Sequence, residues 1–316
     1  MERGHVAVLC ANPALDVEWL VDGLREEERN RVLEERRWAG GKGVNVARWL
    51  RYLGVRTRLV LPVGGDTGAE LLGLLRREML AGEACEIHGA TRVNVVITTP
   101  AGRQWRFNRE GPTLRRGEWQ AVVKQFVASM EGASLAVLSG SLPPGVNRDA
   151  YADLIGRARA CGVPTVLDCE GEALRKALTA GPFLVKVNQA ELADWWGREL
   201  ADEAEVLEAA ASMTEAGAEW VLVTRGPEPV LLIQRGQGLR IRRPVPRVRV
   251  RNRLGAGDAL MAGLCCGLVK GRAAEEWVAM GIDTAAVFLR SEPGRRPPAP
   301  ALKRLRARLG RARDGA

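Results

Sequence analysis

From residue 118 onward, short apolar runs alternate with segments of helical periodicity, and this alternation limits the fold more than any other feature of the 316-residue chain. The runs 135–138, 164–167, 183–187 and 220–223 are rich in Val and Leu and read as buried strands. Between and after them, 148–160, 172–178, 190–196 and 203–216 read as helices. Strands joined through helices return in the same direction and pair in parallel. The expected fold is therefore α/β: a doubly wound, mainly parallel sheet with helices on both faces. The flanks agree. Residues 6–9 and 59–61 read as strands, 43–53 and 69–80 as helices stopped by Gly54 and Gly82, 230–241 as a hairpin around Gly236 and Gly238, and 259–269 and 274–289 as closing helices.

Two segments break the pattern. Residues 17–38 are irregular and highly charged, while 93–99 and 104–107 are β-rich on either side of Pro100-Ala101-Gly102. Both read as insertions that form a small separate β-sheet. The expected organisation is an α/β core from 1–12, 40–90 and 112–316, a small sheet from 13–39 and 91–111, and a basic C-terminal tail, 302–316, as a solvated helix end or frayed terminus.

Composition excludes several function classes. The net charge is +9, but the tail lacks the interleaved aromatics on which bases stack, so no nucleic-acid partner is expected. An enzyme acting on anions accounts for part of the excess. No run approaches the roughly 18 apolar residues of a membrane span. The first residues lead straight into an apolar strand without a signal-like segment, and the six cysteines read as reduced thiols; a cytoplasmic protein is expected. With only His5 and His88 and no C-x-x-C pair, neither a His-rich metal site nor a His-based triad is expected.

In a doubly wound sheet ligands collect at the carboxyl ends of strands, so the loops there carry the chemistry. Gly255-Ala256-Gly257-Asp258 opens a helix. Glycines there expose backbone N–H groups to an anion, and a carboxylate beside them suits a base that takes a hydroxyl proton during phosphoryl transfer. A plain helix N-cap is the alternative for Asp258. Gly40-Gly41-Lys42-Gly43-Val44-Asn45 lacks the P-loop order but combines close backbone approach, a cation and a two-way hydrogen-bonding amide. Asp16, after the first strand, reads either as an acceptor for sugar hydroxyls or as a turn residue. Asn188 and Glu191 have N-x-x-E spacing, which suits either hard-oxygen binding of Mg²⁺ or an N-cap. Together these loops favour phosphoryl transfer to an alcohol.

In combination and order, the motifs resemble the ribokinase-like, phosphofructokinase-B carbohydrate kinases, from Asn12 to about Leu289. Asn12-Pro13-Ala14-Leu15-Asp16, the Gly40 to Arg48 segment, Thr91-Arg92-Val93-Asn94, Asn108-Arg109-Glu110-Gly111-Pro112 and Ser139 through Gly145 are similar to the hexose-phosphate branch, and most similar to 1-phosphofructokinases. The resemblance implies a small β lid over the sugar and ATP-dependent phosphorylation of a ketohexose phosphate, with fructose 1-phosphate going to fructose 1,6-bisphosphate. Tagatose-6-phosphate kinase and 6-phosphofructokinase are alternatives, ahead of a kinase for an unphosphorylated sugar or nucleoside and of a non-catalytic sugar-phosphate sensor. It implies Asp258 as base with Gly255, Ala256 and Gly257 around the moving phosphoryl group. Asp16, Gly40, Gly41, Lys42, Asn45, Arg92, Asn94 and Ser139 would hold the sugar phosphate. Lys186, Asn188, Thr224, Gly226, Gly255 and Gly257 would surround ATP, and Asn188 with Glu191 would hold Mg²⁺. A homodimer through the lid is the expected assembly. Three positions depart from the family's usual pattern: Val187 stands where Pro is usual, Arg225-Gly226-Pro227 replaces a Gly-rich loop, and Val96 stands where Lys is frequent.

Overall fold

The computed structural model describes residues 4–310. Strand β1 (His5–Leu9) is followed by β2 (Ala14–Val21) and β3 (Val32–Gly40), then α1 (Lys42–Tyr52), β4 (Thr57–Val63), α2 (Gly65–Arg77) and β5 (Gly82–Glu86). Next come β6 (Arg92–Thr98), β7 (Gln104–Phe107), α3 (Arg116–Ser129), β8 (Ala133–Ser139), α4 (Ala150–Ala160), β9 (Thr165–Asp168) and α5 (Gly171–Leu178). The chain continues through β10 (Leu184–Asn188), α6 (Gln189–Trp196), α7 (Glu203–Glu215), β11 (Trp220–Arg225), β12 (Glu228–Gln234) and β13 (Gly238–Arg243). It ends in α8 (Ala256–Val269), α9 (Ala274–Leu289) and α10 (Ala299–Gly310).

Nine strands form one sheet in the order β13-β12-β11-β10-β9-β8-β1-β4-β5. It is parallel from β5 to β11 and antiparallel only at β12 and β13. One face, with Val8, Leu59, Val137 and Leu222, packs with residues of α1, α2, α8 and α9. The other, with Leu9, Val60, Leu138 and Val221, packs with α3, α4, α5 and α7. Burial on both faces is why these strands are continuous apolar runs rather than alternating ones. The mainly parallel α/β sheet expected from the sequence is thus observed.

Four strands form the second sheet, in the order β3-β2-β6-β7. They come from the two segments that interrupt the α/β pattern. Here side chains alternate between faces. Asp16, Glu18, Asn94 and Val96 line a cleft against the large sheet. The rows Val17, Val95, Phe107 and Trp19, Ile97, Trp105 lie on the opposite face, where Phe107 is 55% exposed.

The structure corrects three local expectations. Helix α2 stops at Arg77, not near Gly82; Met79 turns the chain with φ 52°, and Gly82 opens β5. Helix α3 and strand β5 had no individual counterpart in the sequence reading. Of the basic segment, residues 302–310 belong to α10, the helix-end alternative, but the helix is packed and not merely solvated: Leu302, Leu305 and Leu309 are buried with α9, and the basic residues occupy the outer face. Burial of three leucines offsets the entropy of ordering this helix. Residues 311–316 of that segment lie outside the described residues. All six cysteines are free, with only Cys161 exposed. Among the described residues no helix is long and apolar enough to cross a membrane.

Candidate active site

A cleft of about 880 Å³ lies between the two sheets, at the carboxyl ends of the central strands. Its floor is the start of α8. Gly255 is the N-cap residue with φ 99°, a left-handed conformation that strains an L side chain. A Cβ there would also press on the Phe288 ring at 3.2 Å. Asp258 is not the N-cap that its position before an apolar run allowed; it lies within the first turn and makes no capping bond. Only 5% exposed, its Oδ2 accepts a 2.8 Å hydrogen bond from Asn45 Nδ2 on α1. Burial, with the nearby Asp168 carboxylate, pushes the Asp258 pKa up to about 6, while Lys42, Asn45 and Lys186 pull against the shift.

Asp168, at the carboxyl end of β9, is the site residue that sequence reasoning missed. It is fully buried, and its two oxygens accept from Lys42 Nζ at 2.9 Å and Lys186 Nζ at 3.1 Å. Two ammonium groups hold this carboxyl below its usual range despite burial. A carboxylate that closes an apolar strand was its one sequence signal. Lys42 also lies 3.6 Å from Glu191 Oε1. Its charge is therefore paired on the core side, and these carboxylates hold its pKa above the usual range.

On the small sheet, Asp16 Oδ1 accepts from Asn94 Nδ2 at 3.0 Å, and burial pushes its pKa up to about 6. Gly40 stands beside it because a Cβ there would fall 2.0 Å from Asp16 Oδ2. Arg92 gives Nη1 to the Arg109 carbonyl and Nη2 to the Asn12 carbonyl, while its Nε is buried without a protein partner. Two other buried cleft atoms, Ser139 Oγ and Asn12 Oδ1, also lack protein partners. Buried polar groups in native proteins are nearly always hydrogen-bonded, so three such atoms in one cleft fit a polyhydroxylated or anionic ligand.

Asn188 and Glu191 form a reciprocal capping box on α6: Asn188 Oδ1 accepts from the Glu191 N–H at 2.9 Å, and Glu191 Oε2 from the Asn188 N–H at 2.8 Å. The N-cap reading of this pair is realised. Glu191 Oε1 remains directed toward Lys42. One carboxylate beside glycine-rich loops in the cleft fits a hydrated Mg²⁺ that keeps most of its waters. It does not fit an all-protein cage, and among the described residues no group of three or more His, Cys, Asp or Glu is placed to hold a metal.

Thr224, the next-to-last residue of β11, pairs with Asn188 and lines the cleft. Arg225 is turned out of it: Nη2 donates to Glu203 at 2.7 Å and Nε to the Pro229 carbonyl at 3.1 Å. Gly226 occupies the β11–β12 turn with φ 61° and does not line the cleft, nor does Ala256. Of the other residues singled out in the sequence, Gly41, Lys42, Asn45, Lys186, Asn188, Glu191 and Gly257 line it.

A buried carboxylate at a helix N-terminus, with lysines and glycine amides around it and sugar-type acceptors across the cleft, is the apparatus of a kinase that phosphorylates an alcohol. The pfkB family carbohydrate kinase model matches residues 9–301, so the chain belongs to that family and is a phosphotransferase with an alcohol acceptor. It is 32% identical to a 1-phosphofructokinase of Bacillus subtilis over 91% of this chain and 93% of that one. The crystal structure of phosphofructokinase-2 from Escherichia coli in complex with fructose-6-phosphate superposes with a TM-score of 0.87 at 31% identity, covering 98% of this chain and all of that one. An Arabidopsis thaliana ribokinase, 19% identical, shares the fold with a TM-score of 0.77 over 96% of this chain and 98% of its own. The ribokinase-like fold expected from the motifs is therefore present.

Proposed function

We propose that the protein transfers the γ-phosphoryl group of ATP to a ketohexose phosphate, with fructose 1-phosphate as the acceptor. The observation that carries this reading is the Asp258 carboxylate, buried beside the glycine amides at the start of α8 and held by Asn45. Asp258 takes the proton of the acceptor hydroxyl as its oxygen bonds to phosphorus and the bond to ADP breaks. The Gly255 and Gly257 amides hold the charge on the moving group. Asp16, Asn94 and Ser139 bind sugar hydroxyls, and Arg92 the substrate's own phosphate. Lys42, paired on the core side with Asp168 and Glu191, we assign with Lys186 to the transferring and nucleotide phosphates instead of the sugar phosphate. Asn188 and Thr224, which line the cleft, flank the nucleotide, whereas Gly226 only shapes the turn behind Thr224. Mg²⁺ held near Glu191 and Asn188 would neutralise phosphate charge. The need for ATP and the free thiols support a cytoplasmic location.

ADP release with fructose 1-phosphate, fructose 6-phosphate, tagatose 6-phosphate, ribose and adenosine tests the acceptor. Fructose 1-phosphate is expected to give the largest kcat/KM. A preference for ribose or adenosine would refute the sugar-phosphate reading. A preference for fructose 6-phosphate, the sugar in complex with the Escherichia coli structure, would change only which end of the sugar carries the phosphate.

The outer face of the small sheet supports a homodimer. Exposed Phe107 and half-buried Trp19, Ile97 and Trp105 lie together on this face beside unpaired strand edges, the kind of patch that a second copy covers. Phe107→Asp is expected to halve the solution mass measured by light scattering. An unchanged mass, or a monomeric wild type, would rule this interface out.

A further inference from the structure

The geometry points to Arg48 as a positioning residue that fixes the amide of Asn45 and, through it, the orientation of Asp258. This rests on the reading of Asp258 as the base. Arg48 is 13% exposed and lies one helical turn beyond Asn45 on α1. Its Nη1 donates to Asn45 Oδ1 at 2.7 Å, and Asn45 Nδ2 donates to Asp258 Oδ2 at 2.8 Å.

The chemistry of the two neighbours leaves the amide one orientation. A guanidinium only donates, so the Asn45 oxygen must face Arg48. An ionised carboxylate only accepts, so the Asn45 nitrogen must face Asp258. Without Arg48 the amide is free to turn its oxygen toward Asp258, where two acceptors repel. The carboxylate would then lose the one side-chain hydrogen bond that holds it against Lys42, Lys186 and Asp168, the charged groups around it.

Arg48 is itself fixed from two directions. Nε and Nη2 engage both Glu78 oxygens, from the turn after α2, and Nη2 also donates to the Ala39 carbonyl at the end of β3. Its three partners lie on different sides of a rigid fork. A lysine, with a single compact ammonium, cannot reach all three.

A double-mutant cycle tests the assignment. kcat is measured for Asn45→Ala, Arg48→Met and the double variant, with saturating MgATP and fructose 1-phosphate, or whichever acceptor the wild type turns over fastest. If Arg48 acts through Asn45, each single change lowers kcat by about 10²-fold, the scale of misplaced catalytic groups, and the double variant falls no more than about 3-fold below Asn45→Ala. Arg48→Lys is expected to leave kcat low while the thermal midpoint recovers. Multiplicative losses, with the double variant near 10⁴-fold, would overturn the assignment. Should Arg48→Met fail to fold because Glu78 is left unpaired, Arg48→Met/Glu78→Met removes both charges and takes its place in the cycle. Asp258→Asn separates the two readings: full activity there refutes the base itself, whereas an inactive Asp258→Asn with an additive cycle refutes Arg48 alone.

Discussion

Asp258→Asn is expected to lower kcat by about 10³-fold, within the range attributed to general bases, while making the folded protein more stable at pH 8. The two effects have one cause. Burial raises the folded-state pKa of Asp258 to about 6, so the folded chain holds this proton more tightly than the unfolded chain does. The carboxyl therefore contributes least to stability above pH 6, where it must be ionised inside the protein, and stability rises as pH falls toward the unfolded value. An amide of the same shape escapes the cost of burying that charge. The expected gain is on the order of 1–3 kcal/mol in urea unfolding at pH 8. In the wild type, kcat/KM is expected to fall as pH drops through about 6, because only the ionised carboxyl accepts the proton. A variant that kept wild-type turnover would remove Asp258 from the chemistry. One that lost both turnover and stability would make it a structural group.

Asp168→Ala is expected to have the largest effect on the fold, a loss of about 3–5 kcal/mol measured as a lowered urea midpoint. This carboxylate has no access to solvent and stands between Lys42 and Lys186 at 2.9 and 3.1 Å. Its removal leaves two ammonium groups facing each other with one neighbour fewer. Its pH signature is opposite to that of Asp258. The Asp168 pKa is depressed in the folded state, so its stabilisation is present above the unfolded value and disappears as pH falls through the folded one. Asp168→Asn removes the charge and keeps the shape; a smaller loss there than in the alanine variant would assign part of the effect to packing. A stability change under 1 kcal/mol in both would show that the lysines find other partners.

The two variants mark what the sequence made legible. Asp258 follows a local pattern, two glycines and a carboxylate before an apolar helix, which survives without knowledge of the fold. Asp168 has no such pattern. Its partners lie 126 and 18 residues away, and only the order of parallel strands brings them together. Lys42 lines the cleft, but the direction of its charge depends on Asp168. The same division holds for the fold. Strands buried on both faces announce themselves as apolar runs. By contrast, β5 is short and polar, and the leucine periodicity of α10 lies beneath a row of arginines that reads as a solvated helix end or a frayed terminus. Arg225, a departure from the family's usual pattern at the end of β11, draws its meaning from Glu203, with which it pairs away from the cleft.

Asp16 stands on the small sheet, whereas Asp258 stands on a helix of the large one. In the proposed mechanism Asp16 and Asn94 meet the sugar from the small sheet, joined by Ser139 from β8, while Asp258 drives the transfer from a separate stretch of the chain. On that reading, substitutions at the cleft-facing positions of 14–21 and 92–98 reshape the acceptor pocket without disturbing the loop that starts α8. The small sheet is then the place to vary when a different sugar is wanted from the same reaction.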